Sequence, residues 1–152
     1  MEFTAIVRWQ RAGQPFSDHR YSRAHHWHFD GGAVVPASSS PLSVPLPLSD
    51  AAAVDPEEAL VAAASSCHML FFLSLAAQRG FIVDAYADAA VGTLAVDGAG
   101  HKAITRIVLR PAIVFGARQP TQAQLDELHH LAHQRCYIAN SLKTAVTVEK
   151  GL

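Results

Sequence analysis

A chain of 152 residues, half of them hydrophobic, is long enough for one domain with a real core and too short to suggest two. Twelve Lys and Arg against 13 Asp and Glu leave a formal net charge of −1, with no basic run and no basic and aromatic stripe; nucleic acid and anionic membrane surfaces are therefore not expected partners. The opening MEFTAIVRW carries an acid at position 2 and no export-signal core, and the only cysteines are Cys67 and Cys136, so a cytoplasmic, reducing compartment is expected.

Glu2 to Trp9 alternates, with Phe3, Ala5, Val7 and Trp9 on one side, and predicts a half-buried strand ended by Gly13-Gln14-Pro15. Tyr21 to Phe29 gives a second, less regular strand holding His25, His26 and His28, closed by Gly31-Gly32. Pro36 to Asp50 is rich in Ser and Pro, which rules out a helix or a central strand and leaves a long loop or flap.

Asp55 is a good N-cap, Pro56 suits the first helical position, Glu57 and Glu58 complement the helix dipole, and Gly80 can stop the helix after Arg79. Nearly every residue between is apolar or small. This helix should lack a broad solvated face and be enclosed by sheet on one side and by something else, such as a second subunit, on another. Its run from Ala59 to Ala77 is long enough for a bilayer, but Ser65-Ser66-Cys67-His68 argues for a core helix.

Val83 to Val96 and Ala103 to Phe115 predict two long strands of an antiparallel hairpin turned at Asp97-Gly98-Ala99-Gly100, with a bulge or edge near Pro111. Thr121 caps a second helix whose stripe Leu125, Leu128, Ala132 continues to Cys136, and Thr144 to Glu149 closes the chain as a strand. The order describes a single α+β domain over residues 1–152, without repeats.

Free cysteine is often a plain core residue, so two inert thiols is one reading. A reactive thiol needs a cation or helix N-terminus nearby, and Cys67 is too far into its helix for the dipole; Arg20 and Arg23 are the candidate cations. His68 adjoins Cys67 but points about 100° away and cannot serve as its base. His129, His133 and Cys136 lie at i, i+4 and i+7 and form a rival zinc-ligand set that lacks a fourth member.

Asp55-Pro56-Glu57-Glu58-Ala59-Leu60, then Ala62-Ala63-Ala64-Ser65-Ser66-Cys67, and later Cys136-Tyr137-Ile138-Ala139-Asn140-Ser141-Leu142 resemble the OsmC/Ohr proteins, over about Val54 to Glu149. The variant pieces resemble an OsmC-like branch in which Tyr137 stands where many members have proline. The resemblance implies antiparallel sheets around a long buried central helix and a second helix, and an intertwined homodimer with active sites at the subunit interface. It implies a thiol-dependent peroxidase acting on organic hydroperoxides, with no cofactor and a lipoyl-type or thioredoxin-type dithiol reductant. By position, Cys67 is similar to the peroxidatic cysteine, Cys136 to the resolving one, Glu57 to the carboxylate that orients an arginine, and Arg23 to that arginine.

Cys67 thiolate would attack the peroxide and the resulting sulfenic acid would condense with Cys136. A helix bearing Phe71 and Phe72 beside the thiol would favour organic hydroperoxides, since a buried methylene contributes about 0.8 kcal/mol. Ten residues of helix put Glu57 and Cys67 about 15 Å apart, so a shared site would need a long arginine or a partner subunit. The alternatives are a non-catalytic dimeric ligand-binding or scaffold domain, and a metal-binding protein using His129, His133 and Cys136.

Overall fold

Alternation, caps and turn residues produce most of the elements expected of them in the computed structural model, which describes residues 1–149. The chain divides into two compact units that meet within one helix, one running to Ala59 and the other beginning at Leu60.

In the first unit β1 (Ala5–Arg8), β2 (His25–Phe29) and β3 (Val34–Ala37) form an antiparallel sheet in that order. The expected first strand is shortened, and β1 is exposed throughout rather than half-buried. It is an edge strand, and residues 1–59 do not supply the covering layer that its alternation anticipates. The loop expected from Pro36 begins two residues later, because Pro36 lies in β3 opposite His26. As the other edge strand, β3 tolerates a residue with no N–H to donate.

The segment after β3 folds back on it. Ser38 is buried and its Oγ accepts the Asp50 N–H at 3.0 Å, Arg23 N–H donates to Leu48 O at 2.8 Å, and Ala37 bridges Val54 in parallel. These bonds make it an ordered loop leading into α1 (Pro56–Gln78).

Asp55 Oδ1 accepts the Glu58 N–H at 2.8 Å while the Glu58 carboxylate accepts the Asp55 N–H at 3.4 Å, a reciprocal capping box. At the other end Gly80 adopts φ 73°, Phe81 N–H reaches Ala76 O and Gly80 N–H reaches Ala77 O, the paired bonds of a left-handed stop.

In the second unit the two expected long strands are each broken, giving β4 (Val83–Asp88), β5 (Val91–Val96), β6 (Lys102–Leu109) and β7 (Pro111–Phe115). The break has a cause: Asp88 Oδ1 takes the Arg110 N–H at 2.6 Å, just before Pro111 starts a new ladder. The hairpin is therefore kept, but as two pairings, β5 with β6 and β4 with β7.

Then come α2 (Gln122–Arg135), with the expected Thr121 cap completed by Gln124, an unpredicted short helix α3 (Tyr137–Ser141), and β8 (Ala145–Val148), which pairs parallel to β6. Among the described strand pairs this one is parallel and the others are antiparallel.

Phe72, Leu75 and Ala76 of α1 pack with Phe81, Phe115, Leu128 and Ala132, and Ala64 packs with Ile107 and Leu109 in a second cluster. Burial of each large side chain contributes roughly 1.5–3 kcal/mol. By length and composition α1 could span a bilayer, but here these positions form the protein's own core. The helix is less enclosed than its composition suggests: Ala62, Ser66, Leu70 and Ser74, one turn apart, form an exposed stripe, with Leu70 63% exposed.

Candidate active site

Cys67 sits half-buried beside that stripe, while Ala64 and His68, on either side of it in sequence, turn into the core. Cys136 is the junction of two helices, being both C-cap of α2 and N-cap of α3. Its apolar spacing with Leu128 and Ala132 turns it inward, and it is 1% exposed. Both cysteines are free thiols.

The fold brings them together. Burial pushes the Cys136 thiol up to about 11; the Ala139 N–H, donated to Sγ at 3.4 Å, opposes the shift, and the adjoining Cys67 side chain adds to it. Cys136 therefore remains a protonated thiol near neutral pH.

Cys67 opens into an apolar pocket of about 450 Å³, shared with Ala63, Leu70, Phe71, Tyr137 and Ile138. Phe71, four residues on from Cys67, lies on the same helix side, as the sequence implies. Phe72 does not: it is fully buried in the core, so only one of the two phenylalanines expected near the thiol is there. No charged side chain lines this pocket.

His68 faces the other way, as its position predicts, and meets a partner that the sequence did not signal. Its Nε2 lies 3.1 Å from His129 Nδ1, with ring planes 10° apart and centroids 5.4 Å apart, which sets the two rings nearly edge to edge in an N–H···N bond. Its Nδ1 is buried without a partner, so the tautomer in which His68 Nε2–H donates leaves only a lone pair unsatisfied. Burial, with His129 and His133 adding repulsion, lowers the His68 pKa to about 4.

The pairing also bears on the zinc-ligand spacing. Among the described residues no group of three or more His, Cys, Asp or Glu side chains is placed to hold a metal ion, so His129, His133 and Cys136 do not converge as a ligand set. Helical spacing aligned them, but His129 is engaged by His68 and Cys136 by the interior beside Ala64.

The other two candidate residues share a pocket of the first unit. About 480 Å³ in volume, it is walled by Trp9, Phe16 and Tyr21, with Arg23, Glu57 and serines of the loop after β3. The aromatic rings pack on one another at 4.7–5.9 Å between centroids. Arg23 lies over the Tyr21 ring, 3.8 Å from its centroid, and donates from Nη1 to the carbonyls of His19, at 2.8 Å, and Tyr21. Arg23 rather than Arg20 lines the pocket. Among the described residues the arginine–carboxylate ion pairs are Arg79–Glu127 and Arg110–Glu149, so Arg23 and Glu57 occupy one pocket without closing a salt bridge.

Comparison with known proteins gives a consistent answer. The sequence profile described as OsmC-like protein matches residues 49–150. An OsmC-like protein of unknown function from Vibrio cholerae is 54% identical, with each chain covered to 98% and a TM-score of 0.96. The organic hydroperoxide resistance protein OsmC of Legionella pneumophila has a TM-score of 0.68 at 14% identity, covering 99% of this chain and 98% of its own. For the organic hydroperoxide resistance protein OhrB of Bacillus subtilis the values are 0.62 and 17%, with coverage of 98% and 97%. At such identities these last two speak to the fold alone. No curated protein matches the sequence.

Proposed function

The chain belongs to the OsmC-like protein family, and from that premise we propose that it is a cytoplasmic thiol-dependent peroxidase of organic hydroperoxides, working as a homodimer in oxidative stress defence. The observation that carries the reading is the meeting of two free thiols in unlike settings: Cys67 open to an apolar pocket, Cys136 buried beside it with its proton held on.

The chemistry balances with these two residues. Cys67 thiolate attacks the distal peroxide oxygen, the O–O bond breaks, and alkoxide leaves to take a proton as the alcohol, leaving Cys67 as sulfenic acid. Cys136 sulfur then displaces hydroxide from that sulfenic acid; its thiol proton goes into the water released and a disulfide forms. A dithiol reductant returns both thiols and is itself oxidised to a disulfide.

Thiolate needs a cation, and the Cys67 pocket contains none. Arg23, beside Glu57, is the group we assign to that task. Since Glu57 and Cys67 are ten residues apart on one helix, about 15 Å of rise, we assign Arg23 and Glu57 to the thiol of the partner subunit.

The test is mass spectrometry of thiols after one equivalent of cumene hydroperoxide. The parent should form a Cys67–Cys136 bridge, Cys136→Ser should stop at oxidised Cys67, and Cys67→Ser should leave Cys136 reduced. Two unreactive thiols would refute the peroxidase and leave a binding or scaffold role.

A further inference from the structure

Resting on that reading, we propose that Tyr137 and Phe71 form an aryl-selecting wall of the Cys67 pocket, so that this chain prefers hydroperoxides whose carbon bears an aromatic ring. Phe71 is one helical turn beyond Cys67, and Tyr137 follows Cys136 directly. Phe71 is thus tied to Cys67 along α1, and Tyr137 to Cys136 along the backbone.

Their rings meet at 88° with centroids 5.0 Å apart, an edge-to-face pair that forms a right-angled corner in the pocket. A flat aromatic tail can lie along one ring of such a corner while offering its edge or face to the other; a methyl group in the same place touches fewer atoms and has no quadrupole to match. The remaining walls are Ala63, Leu70 and Ile138, with Ser66 and Ser74; they leave the pocket mostly apolar but do not distinguish aryl from alkyl.

Tyr137 is 72% exposed, and its hydroxyl takes no part in any hydrogen bond of the described residues. The ring thus packs on Phe71 at a largely exposed position rather than in the core. Removing the ring should cost the fold little, because the residue begins a short surface helix.

The experiment compares kcat/KM for cumene hydroperoxide and tert-butyl hydroperoxide, which differ only in a phenyl for a methyl on the same tertiary carbon. The parent should favour the cumyl substrate. Tyr137→Ala and Tyr137→Leu should each lower the cumyl to tert-butyl ratio roughly fivefold, the scale of one aromatic contact, while Tyr137→Phe retains it. Because both substrates are read on the same variant, partial loss of folded protein cancels.

An unchanged ratio in Tyr137→Ala and Tyr137→Leu overturns the wall while leaving the peroxidase intact. Loss of the ratio in Tyr137→Phe overturns it in favour of the hydroxyl. A parent that turns over neither substrate refutes the peroxidase reading, and the wall with it.

Discussion

At Cys136, burial outweighs the helix-cap hydrogen bond from Ala139 and keeps the proton on sulfur up to about pH 11. Iodoacetamide at pH 8 should therefore alkylate Cys67, which opens to a pocket, and spare Cys136; labelling of Cys136 should rise only as pH approaches 11. Peptide mass spectrometry reads both sites at once, and equal labelling at pH 8 would contradict this picture. His68 makes the opposite kind of demand on pH. Its folded pKa of about 4 lies below the ordinary 6.5, so between these values the unfolded chain binds the proton that the folded one refuses. Stability should be full above about pH 6.5 and fall as pH drops toward 4, by up to about 3 kcal/mol for a shift of this size. His129, lowered in the same direction chiefly by burial, steepens the slope. Denaturant unfolding across that window should show a shallower slope in His68→Leu, whatever its absolute stability. None of this was legible beforehand: the sequence places His68 away from Cys67, but a bond to a residue 61 positions later depends on how two helices pack.

Among the elements, what could be foreseen is what local chemistry decides. The Asp55 box, the Gly80 stop and the Thr121 cap involve neighbours within a few residues, and α1 and α2 ended close to where those residues say. The break in the hairpin was hidden because its agent is the Asp88 carboxylate, which takes an N–H from 22 residues away and accepts Ser65 Oγ on its other oxygen. Cys67 and Cys136, though 69 positions apart, could be singled out as a pair because they are the only cysteines and because of the family resemblance, whereas the corner between Phe71 and Tyr137 depends on the angle between α1 and α3, a helix too short to carry a periodic signal. One glycine shows how tightly α1 is seated. A Cβ at Gly92 of β5 would lie 2.5 Å from Val61 Cγ2, so α1 approaches this strand more closely than any side chain there allows. Gly92→Ala should destabilise by about 1–3 kcal/mol, seen as a lower denaturation midpoint with an unchanged slope.

For the whole molecule the open question is which chain supplies the arginine. Leu70 on the exposed stripe of α1, and Ile6 and Val7 on β1, are exposed apolar side chains, and on the dimer reading sedimentation should give twice the 16.3 kDa chain mass. Mixed dimers then decide the arrangement. Cys67→Ser lacks the attacking thiol, and Arg23→Ala lacks the assigned cation, so each should be nearly inactive alone. If Arg23 serves the thiol of its partner, a dimer with one chain of each kind rebuilds one complete site, from the arginine of the first and the thiol of the second. Random co-assembly makes about half the dimers mixed, each with one working site of two, so co-refolded protein should recover roughly a quarter of parental activity. If arginine and thiol act within one chain, every site in the mixture lacks one of them and no activity returns. Mixing without refolding controls for exchange, and a recovered rate that keeps the cumyl preference would come from the same Tyr137 and Phe71 corner, carried on the chain that brings the thiol.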